Sequence, residues 1–478
     1  YFTEEPLARS GKVAFLFPGQ GSQYPNMLRD LALHFAEVRE SFERADRTLA
    51  GQYPQPLSGY IFPPPIFTPE EARAEKEAIT ATNVAQPALG AADSALFHLL
   101  QALGVQPEMV AGHSYGEYVA LHAAGVFDEA TLATLSEARG RSIIEAAESD
   151  LGTMAAARAD AVRVAEIVEP VEGVWVANLN SPKQTIISGT QAGIGEAMER
   201  LKSQGISAQM IPVACAFHSP LVAPAKERLA SYLAAASFNA PSIEVFSNTT
   251  ASPYPPEPEA IAALLAEHLV RPVRFHEEIE AMYAAGARLF VEVGPRNVFT
   301  GLTAQILAER PHVALAVDLP NQTGLTQLHH ALGQLAAQGV PVRLDRLFQG
   351  RTVHRLNLRN LVQETQAKAL PPTTWLVHGG RARPLHKPDL LPETPLAGLL
   401  QTTDDGRQTT DNGRVPIAGA RGARSGPDGP GVPESGTDGR QATDDPSVLA
   451  RDLKDAQVGE QNPVVEGTRE QRGLPAVP

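Results

Sequence analysis

The sequence has almost no cysteine, with Cys215 alone among 478 residues. One thiol cannot form an internal disulfide, so an extracellular scaffold held together by disulfides is excluded. A zinc cluster built from cysteine ligands is excluded for the same reason.

Long apolar runs are also missing, and none reaches the roughly 18 to 20 residues that a membrane-spanning helix needs. The first residues, YFTEEP, contain neither an initiator methionine nor the basic and apolar regions of a signal peptide. We therefore expect a cytoplasmic protein, without a membrane partner, that is a piece of a longer chain.

Basic residues are in the minority, with 40 Lys and Arg against 54 Asp and Glu and a net charge of −14. A polyanion needs a basic surface, so nucleic acid is not an expected partner. At roughly 100 to 200 residues per domain, the length predicts two or three folding units.

The composition changes near residue 385. Residues 385–478 are rich in Gly, Pro, Asp, Thr and Arg, as in TTDDGRQ at 402–408 and its near repeat QTTDNGR at 408–414. Such a segment has too little apolar mass to offset the entropy of ordering, so we predict a disordered tail.

Strand and helix patterns alternate before the tail. Short apolar runs at 13–17 and 109–112 predict buried strands, and helical spacing covers 26–49, 86–103, 117–124 and 128–145. The pattern resumes after residue 212, with helices predicted at 221–234, 274–285 and 327–338 and strands at 243–247 and 288–293. This alternation predicts a largely parallel sheet covered by helices on both faces.

A second unit with a different rhythm interrupts this pattern at 151–211. Strands are predicted at 153–157, 174–178, 184–188 and 208–211, and helices at 160–168 and 194–204. The order βαββαβ is typical of a ferredoxin-like fold. Two units side by side form a cleft, where ligands tend to bind.

The strongest local motif is GHSYG at 112–116, which places Ser114 between a predicted strand and a predicted helix. A nucleophile elbow requires this context, with glycines where side chains would meet neighbouring backbone. The alternative is a helix start with Ser114 as its cap.

A serine nucleophile needs a base and donors for the developing oxyanion. Among 13 histidines, His218 stands at the boundary of the inserted unit. The loop FPGQGSQ at 17–23 can present a backbone N–H from Gln20, and Tyr115 can present another. The same loop could cradle a phosphate, although it lacks the Lys-Ser/Thr ending of a P-loop.

Five motifs in this order resemble the malonyl-CoA:acyl carrier protein transacylase family, in particular the acyltransferase domains of type I polyketide and polyunsaturated fatty acid synthases. They are FPGQGSQ (17–23), QPAL (86–89), GHSYGE (112–117), AFHSP (216–220) and VEVGP (291–295). The resemblance implies an α/β-hydrolase-like subdomain at 12–150 and 212–345 and a ferredoxin-like one at 151–211. It also implies an upstream linker at 1–11 and a post-acyltransferase linker at 346–384, after which the tail predicted from composition begins.

By the resemblance, Ser114 is the nucleophile, His218 is its base, and the N–H groups of Gln20 and Tyr115 form the oxyanion hole. His268 lends its backbone carbonyl to orient the base, at a position where the family often has Asn or Gln.

The resemblance also assigns residues to the substrate. Gln86, Arg139 and Phe217 are substrate-binding, with Arg139 holding the malonyl carboxylate and Phe217 favouring malonyl over methylmalonyl. Cys215 departs from the His that often opens this motif, and we interpret it as a packed side chain.

The implied reaction moves malonyl from malonyl-CoA through a seryl ester to the phosphopantetheine thiol of an acyl carrier protein. Neither a metal nor a bound cofactor is implied, and the expected partners are the carrier protein and neighbouring domains such as a ketosynthase. Two alternatives remain open: a serine esterase or thioesterase, and an inactive acyltransferase kept as a scaffold within a synthase.

Overall fold

The computed structural model describes residues 1–146, 152–213, 215–350, 359, 375–378 and 381–384. Residues 1–361 form one compact unit, and the hairpin of β11 (Trp375–His378) and β12 (Arg381–Pro384) lies in a second. The hairpin is antiparallel, with Trp375 opposite Pro384. The predicted disordered tail and most of the predicted 346–384 linker lie outside the described residues.

The first strand, β1 (Lys12–Phe17), is apolar over five consecutive residues, and all five are buried. Its odd-numbered side chains, such as Phe15, join one hydrophobic cluster, whereas Ala14 and Leu16 join another. Because side chains alternate across a strand, both faces of the sheet are covered.

A sheet of six strands surrounds β1. Their order is β10-β9-β1-β2-β7-β8, parallel except for the short β8, which runs antiparallel to β7. The other five strands are β2 (Met109–Gly112), β7 (Glu244–Ser247), β8 (Ser252–Pro253), β9 (Ala287–Glu292) and β10 (Val313–Ala316).

Twelve helices in the described ranges accompany this sheet, and the predicted α/β fold is confirmed. They are α1 (Arg29–His34), α2 (Ala36–Thr48), α3 (Leu57–Ile61), α4 (Pro69–Thr80), α5 (Thr82–Ala102), α6 (Gly116–Ala123), α7 (Glu129–Glu145), α10 (Ala223–Ala235), α11 (Pro258–Glu267), α12 (Phe275–Ala284), α13 (Val298–Leu307) and α14 (Gly324–Ala337). None in the described part of the chain is long and apolar enough to cross a membrane.

The inserted segment forms its own four-stranded antiparallel sheet in the order β4-β5-β3-β6. A separate hydrophobic cluster that includes Val164, Ile187 and Leu201 joins its helices to the sheet. This arrangement fits the predicted ferredoxin-like subdomain. Its elements are β3 (Thr153–Ala157), α8 (Ala161–Val168), β4 (Val174–Ser181), β5 (Gln184–Gly189), α9 (Gln191–Ser203) and β6 (Ala208–Ile211).

Two predicted helices differ from the observed ones. The predicted helix at 26–49 is divided at Phe35, whose backbone is extended. The helix predicted to begin at Gln86 begins at Thr82 and contains Pro87. Pro87 cannot donate to the Asn83 carbonyl. The Tyr53 hydroxyl replaces this donor at 2.6 Å, so the helix extends through the proline.

The turn after β2 is packed too closely for side chains. A Cβ on Gly112 would lie 2.0 Å from the Gly116 carbonyl carbon, and a Cβ on Gly116 would lie 2.0 Å from the Phe17 carbonyl oxygen. Real Cβ contacts are not this short, so both positions require glycine. The turn is therefore held directly against the end of β1.

We predict that Gly112→Ala destabilises the protein by at least the roughly 1 to 3 kcal/mol typical of overpacking, because its Cβ would meet rigid backbone. The matched control is Gly301→Ala in α13, where an added Cβ meets nothing within 4 Å. Alanine there should stabilise the helix by about 0.5 to 1 kcal/mol. Thermal midpoints of the two variants should move in opposite directions; equal midpoints would contradict the packing described for the turn.

Candidate active site

Ser114 occupies the turn between β2 and α6 with a backbone φ of 51°. This left-handed conformation is costly for a residue with a side chain, and it is typical of functional turns. The Ser114 Oγ lies 2.7 Å from Nε2 of His218. The structure thus brings together the predicted nucleophile and the predicted base, which are 104 residues apart in the chain.

The other ring nitrogen of His218 faces two backbone carbonyls. Nδ1 lies 3.2 Å from the His268 oxygen and 3.0 Å from the Arg271 oxygen. Since carbonyls only accept hydrogen bonds, Nδ1 carries the proton and Nε2 presents its lone pair to Ser114. The family resemblance predicted the carbonyl of His268 but not that of Arg271. A backbone carbonyl can come from any residue type, so the sequence does not indicate which residue supplies it.

Burial determines the charge state of His218, which is 3% exposed. Burial, followed by the charges of Arg139 and the neighbouring His113, lowers the pKa of the imidazole to about 3, although the two carbonyl contacts oppose this shift. The imidazole is therefore neutral at pH 7 and able to accept a proton.

The side chain of His268 does not touch Ser114 or His218 through a hydrogen bond. Its ring is fully buried, and within the described residues neither ring nitrogen has a hydrogen-bond partner. Its Nε2 lies 3.9 Å from a carboxylate oxygen of Glu117. The carbonyl of His268 is the group that hydrogen-bonds to the predicted base, and the His268 ring lies beside it with the two ring centroids 5.4 Å apart.

The loop after β1 lies against the Ser114 turn. A Cβ on Gly19 would be 2.3 Å from the His113 oxygen and 3.4 Å from the Tyr115 nitrogen. Within the described residues, the N–H groups of Gln20 and Tyr115 donate no hydrogen bond to the protein. Both donors are therefore available to another acceptor.

Gln86 stands behind this loop. Its Nε2 donates to Oε1 of Gln20 at 3.3 Å, and the Gln20 Nε2 donates to the Thr82 hydroxyl at 3.2 Å. Gln86 is fully buried and is not among the residues that line the adjoining cavity. Its contact fixes the side chain of Gln20.

A cavity of about 170 Å³ opens at Ser114 and His218. Five of the predicted site residues line it, and its remaining wall comes chiefly from the inserted subdomain. The lining residues are Gln20, His113, Ser114, Arg139, Met154, Asn178, Asn180, Ile186, Ile211, Val213, Phe217 and His218.

Arg139 lines this cavity from α7 and is 1% exposed. Within the described residues, its Nε and Nη2 have no hydrogen-bond partner and no carboxylate lies within salt-bridge distance. Burial lowers the pKa of the guanidinium, although arginine stays charged in proteins. A buried cation without a counter-ion is suited to bind an anion that enters the cavity.

Phe217 and Cys215 belong to the segment directly before His218. Phe217 lines the cavity and is 7% exposed, and its ring centroid lies 6.5 Å from that of His218. Cys215 is fully buried, and burial raises the pKa of its thiol to about 12. The thiol is therefore protonated at pH 7, which agrees with a packed side chain.

His113 also lines the cavity, although sequence reasoning gave it no role. Its ring stacks on Phe299 with centroids 5.1 Å apart, and its Nε2 lies 2.9 Å from Oδ1 of Asn180. Asn248, likewise missed, accepts a hydrogen bond from the Ser114 N–H at 2.7 Å. Asn248 lies directly after β7, and β7 is the neighbour of β2, the strand that leads to Ser114. This position at the end of a strand is the feature that could have indicated Asn248 from the sequence.

The geometry agrees with the comparison to known proteins. The sequence model of the acyl transferase domain matches residues 14–341. The chain is 36% identical over 322 residues to the malonyl CoA-acyl carrier protein transacylase of Bacillus subtilis, covering 65% of this chain and 97% of that protein. It is 31% identical over 392 residues to a polyunsaturated fatty acid synthase polypeptide of a Thraustochytrium species, covering 77% of this chain but only 14% of that polypeptide.

Solved structures lead to the same family. One similar structure is a complex of a type II polyketide synthase acyl carrier protein with its malonyl transacylase. This chain matches a chain of that complex with a TM-score of 0.59 and 31% sequence identity. The match covers 67% of this chain and 99% of that one. The resemblance stated from the sequence motifs is thereby confirmed. The chain belongs to the acyl transferase domain family.

Proposed function

We propose that this chain transfers a malonyl group from malonyl-CoA, through an ester on Ser114, to the phosphopantetheine thiol of an acyl carrier protein. The observation that carries the proposal is the guanidinium of Arg139 in the same cavity as the Ser114–His218 pair, because its Nε and Nη2 have no hydrogen-bond partner among the described residues. A malonyl thioester has one carbonyl for the serine to attack and one free carboxylate for the arginine to bind.

The first half of the reaction forms the acyl enzyme. His218 Nε2 takes the proton of the Ser114 hydroxyl while the oxygen attacks the thioester carbonyl. The N–H groups of Gln20 and Tyr115 bind the developing oxyanion. The carbon–sulfur bond then breaks, and the coenzyme A sulfur leaves with the proton that His218 returns.

The second half reverses these roles. The phosphopantetheine thiol gives its proton to His218 and attacks the malonyl ester, and Ser114 leaves with that proton. Each step uses groups of this chain and the two substrates, so the proposal needs no bound cofactor. The carrier protein as acceptor is supported by the related transacylase that was solved with its acyl carrier protein.

Phe217 supports malonyl as the acyl group. Phe217 lines the cavity beside His218. We propose that its ring takes up the space that an α-methyl group would need. A methyl group in an apolar pocket changes discrimination by only about 1 to 3 kcal/mol, so the preference for malonyl over methylmalonyl is moderate.

The contacts of His218 favour a transferase over a serine hydrolase. A hydrolase triad orients its histidine with a carboxylate, whereas Nδ1 of His218 meets two carbonyls. A hydrolase also gives no role to Arg139. The 2.7 Å contact between Ser114 Oγ and His218 Nε2 argues against an inactive scaffold.

The proposal also includes the neighbouring domains and the cellular location of the protein. The similarity to a much longer synthase polypeptide supports neighbouring domains such as a ketosynthase as partners. A cytoplasmic location is supported by Cys215, the one cysteine, which is free and buried.

We predict that Arg139→Ala reverses the acyl preference. The malonyl carboxylate would lose its buried partner, so serine acylation by malonyl-CoA should fall by about 100-fold or more. Acetyl-CoA has no carboxylate and should keep its rate. Intact-protein mass during acylation by each thioester measures both rates.

Arg141→Ala is the matched control, because Arg141 lies two residues further on α7 and pairs with Glu137 at 3.1 Å. It should leave both rates unchanged. Equal losses for malonyl and acetyl in Arg139→Ala would assign Arg139 to structure or coenzyme A binding.

A second prediction concerns pH. Because burial lowers the pKa of His218 to about 3, protonation of Nε2 should begin to inhibit only near that pH. The rate of serine acylation should therefore change little between pH 7.5 and 5, provided that circular dichroism shows a folded protein throughout. A tenfold fall for each pH unit below about 6.5 would instead indicate an ordinary histidine.

A further inference from the structure

Asn248 uses all four of its polar groups inside the protein and is fully buried. Its side-chain Oδ1 accepts from the Ser114 N–H at 2.7 Å, and its Nδ2 donates to Oε2 of Glu278 at 2.5 Å. Its backbone N–H donates to the Glu117 carboxylate, and its carbonyl accepts from the Arg274 N–H at 2.9 Å.

The sheet accounts for the position of Asn248. Strands β2 and β7 are parallel neighbours, with Met109 opposite Glu244 and Val110 opposite Val245. Their carboxyl ends therefore meet at the same edge, where Ser114 follows one strand and Asn248 follows the other. This edge is where open α/β sheets bind ligands.

On one side, Asn248 holds the backbone of the nucleophile. Ser114 has a left-handed φ of 51°, which the surrounding structure must impose. The Asn248 Oδ1 satisfies the Ser114 N–H in that conformation. A hydrogen bond to this N–H fixes the direction in which the peptide plane, and with it the side chain, leaves β2.

On the other side, Asn248 holds the segment that orients the base. Arg271 supplies a carbonyl to Nδ1 of His218, and the chain continues directly into α12. Asn248 forms hydrogen bonds with two residues that follow Arg271 in the chain. Arg274 lies three residues after Arg271, and Glu278 lies seven residues after it. One side chain therefore connects the Ser114 turn with the segment that fixes the His218 ring.

We propose that Asn248 is a positioning residue that sets the distance and angle between Ser114 and His218 by bonding both supporting segments at once. The proposal rests on the proposed acyl transfer by this pair. It concerns the rate of the chemical step and not the binding of malonyl-CoA, since Asn248 does not line the cavity.

Exchanging the amide of Asn248 and the carboxyl group of Glu278 tests the proposal. Asn248 faces a donor, the Ser114 N–H, on one side and a carboxyl oxygen of Glu278 on the other. The pair Asn248→Asp with Glu278→Gln keeps an acceptor toward Ser114 and reverses the polarity of the second contact. It also keeps one acid and one amide in the same buried space. Asn248→Ala removes both contacts and adds no charge.

The experiment measures serine acylation by malonyl-CoA under single-turnover conditions, with thermal midpoints for every variant. Asn248→Ala should lower the rate constant at saturation by about 10-fold or more while the half-saturating concentration changes by less than about threefold. The double variant Asn248→Asp/Glu278→Gln should recover most of the rate. Asn239→Ala, at an exposed asparagine after α10, is the control and should match the wild type.

The outcomes separate this inference from the proposed function. A wild-type chain that malonyl-CoA does not acylate contradicts the proposed function itself. If the wild type is acylated but folded Asn248→Ala keeps its rate, or loses rate and affinity together, the positioning role is wrong. A folded double variant as slow as Asn248→Ala also contradicts it. If the double variant does not fold, the positioning role is judged from Asn248→Ala alone, by whether the rate constant at saturation falls while the half-saturating concentration stays nearly unchanged.

Discussion

The left-handed backbone of Ser114 is the constraint on which the rest of the site depends. A non-glycine residue in this region costs on the order of 1 to 3 kcal/mol, so the surroundings must impose it. They do so by close packing, because Gly112 leaves no space for a side chain within the turn and Gly116 leaves none between the turn and the end of β1. The same packing brings the Gly19 loop beside the Tyr115 nitrogen, so the proposed nucleophile and the proposed oxyanion donors are positioned by one cause.

Burial then determines what this geometry can do. Removing His218 from water lowers the pKa of its imidazole and keeps it neutral, which a base must be. Removing Arg139 from water, with no carboxylate within salt-bridge distance among the described residues, leaves a buried charge that an anionic ligand would neutralise. A hydrophobic wall from the inserted subdomain, which includes Met154 and Ile186, limits the water around both. In the proposed reaction, one desolvated cavity thus accounts both for a neutral base and for a preference for an anionic acyl group.

The sequence predicted the parts of the site that depend on local motifs. Ser114 and its flanking glycines are adjacent in the chain, so their pattern was sufficient. His218 was only one of several histidines by pattern, and the resemblance of the AFHSP motif at 216–220 assigned its role. Asn248, Glu278 and the Arg271 carbonyl were not predicted, because they matter only through contacts that the folded sheet creates.

The same reason explains where the predicted helices failed. Helical spacing does not show that Phe35 adopts an extended backbone, which tertiary packing imposes. Nor does it show that the Tyr53 hydroxyl replaces the hydrogen bond that Pro87 cannot make. Local pattern predicted that these helices exist, while distant contacts determined where they begin and end.

The central claim is that Ser114 carries the malonyl group between two thiols, and the location and fate of that group test it most directly. Mixing the chain with malonyl-CoA should add one malonyl mass, which peptide mapping places on Ser114 and which is absent in Ser114→Ala. Adding an acyl carrier protein that bears phosphopantetheine should then move the mass to the carrier faster than water releases it. A malonyl group on another residue, or release to water at the same rate with and without the carrier, would contradict the account.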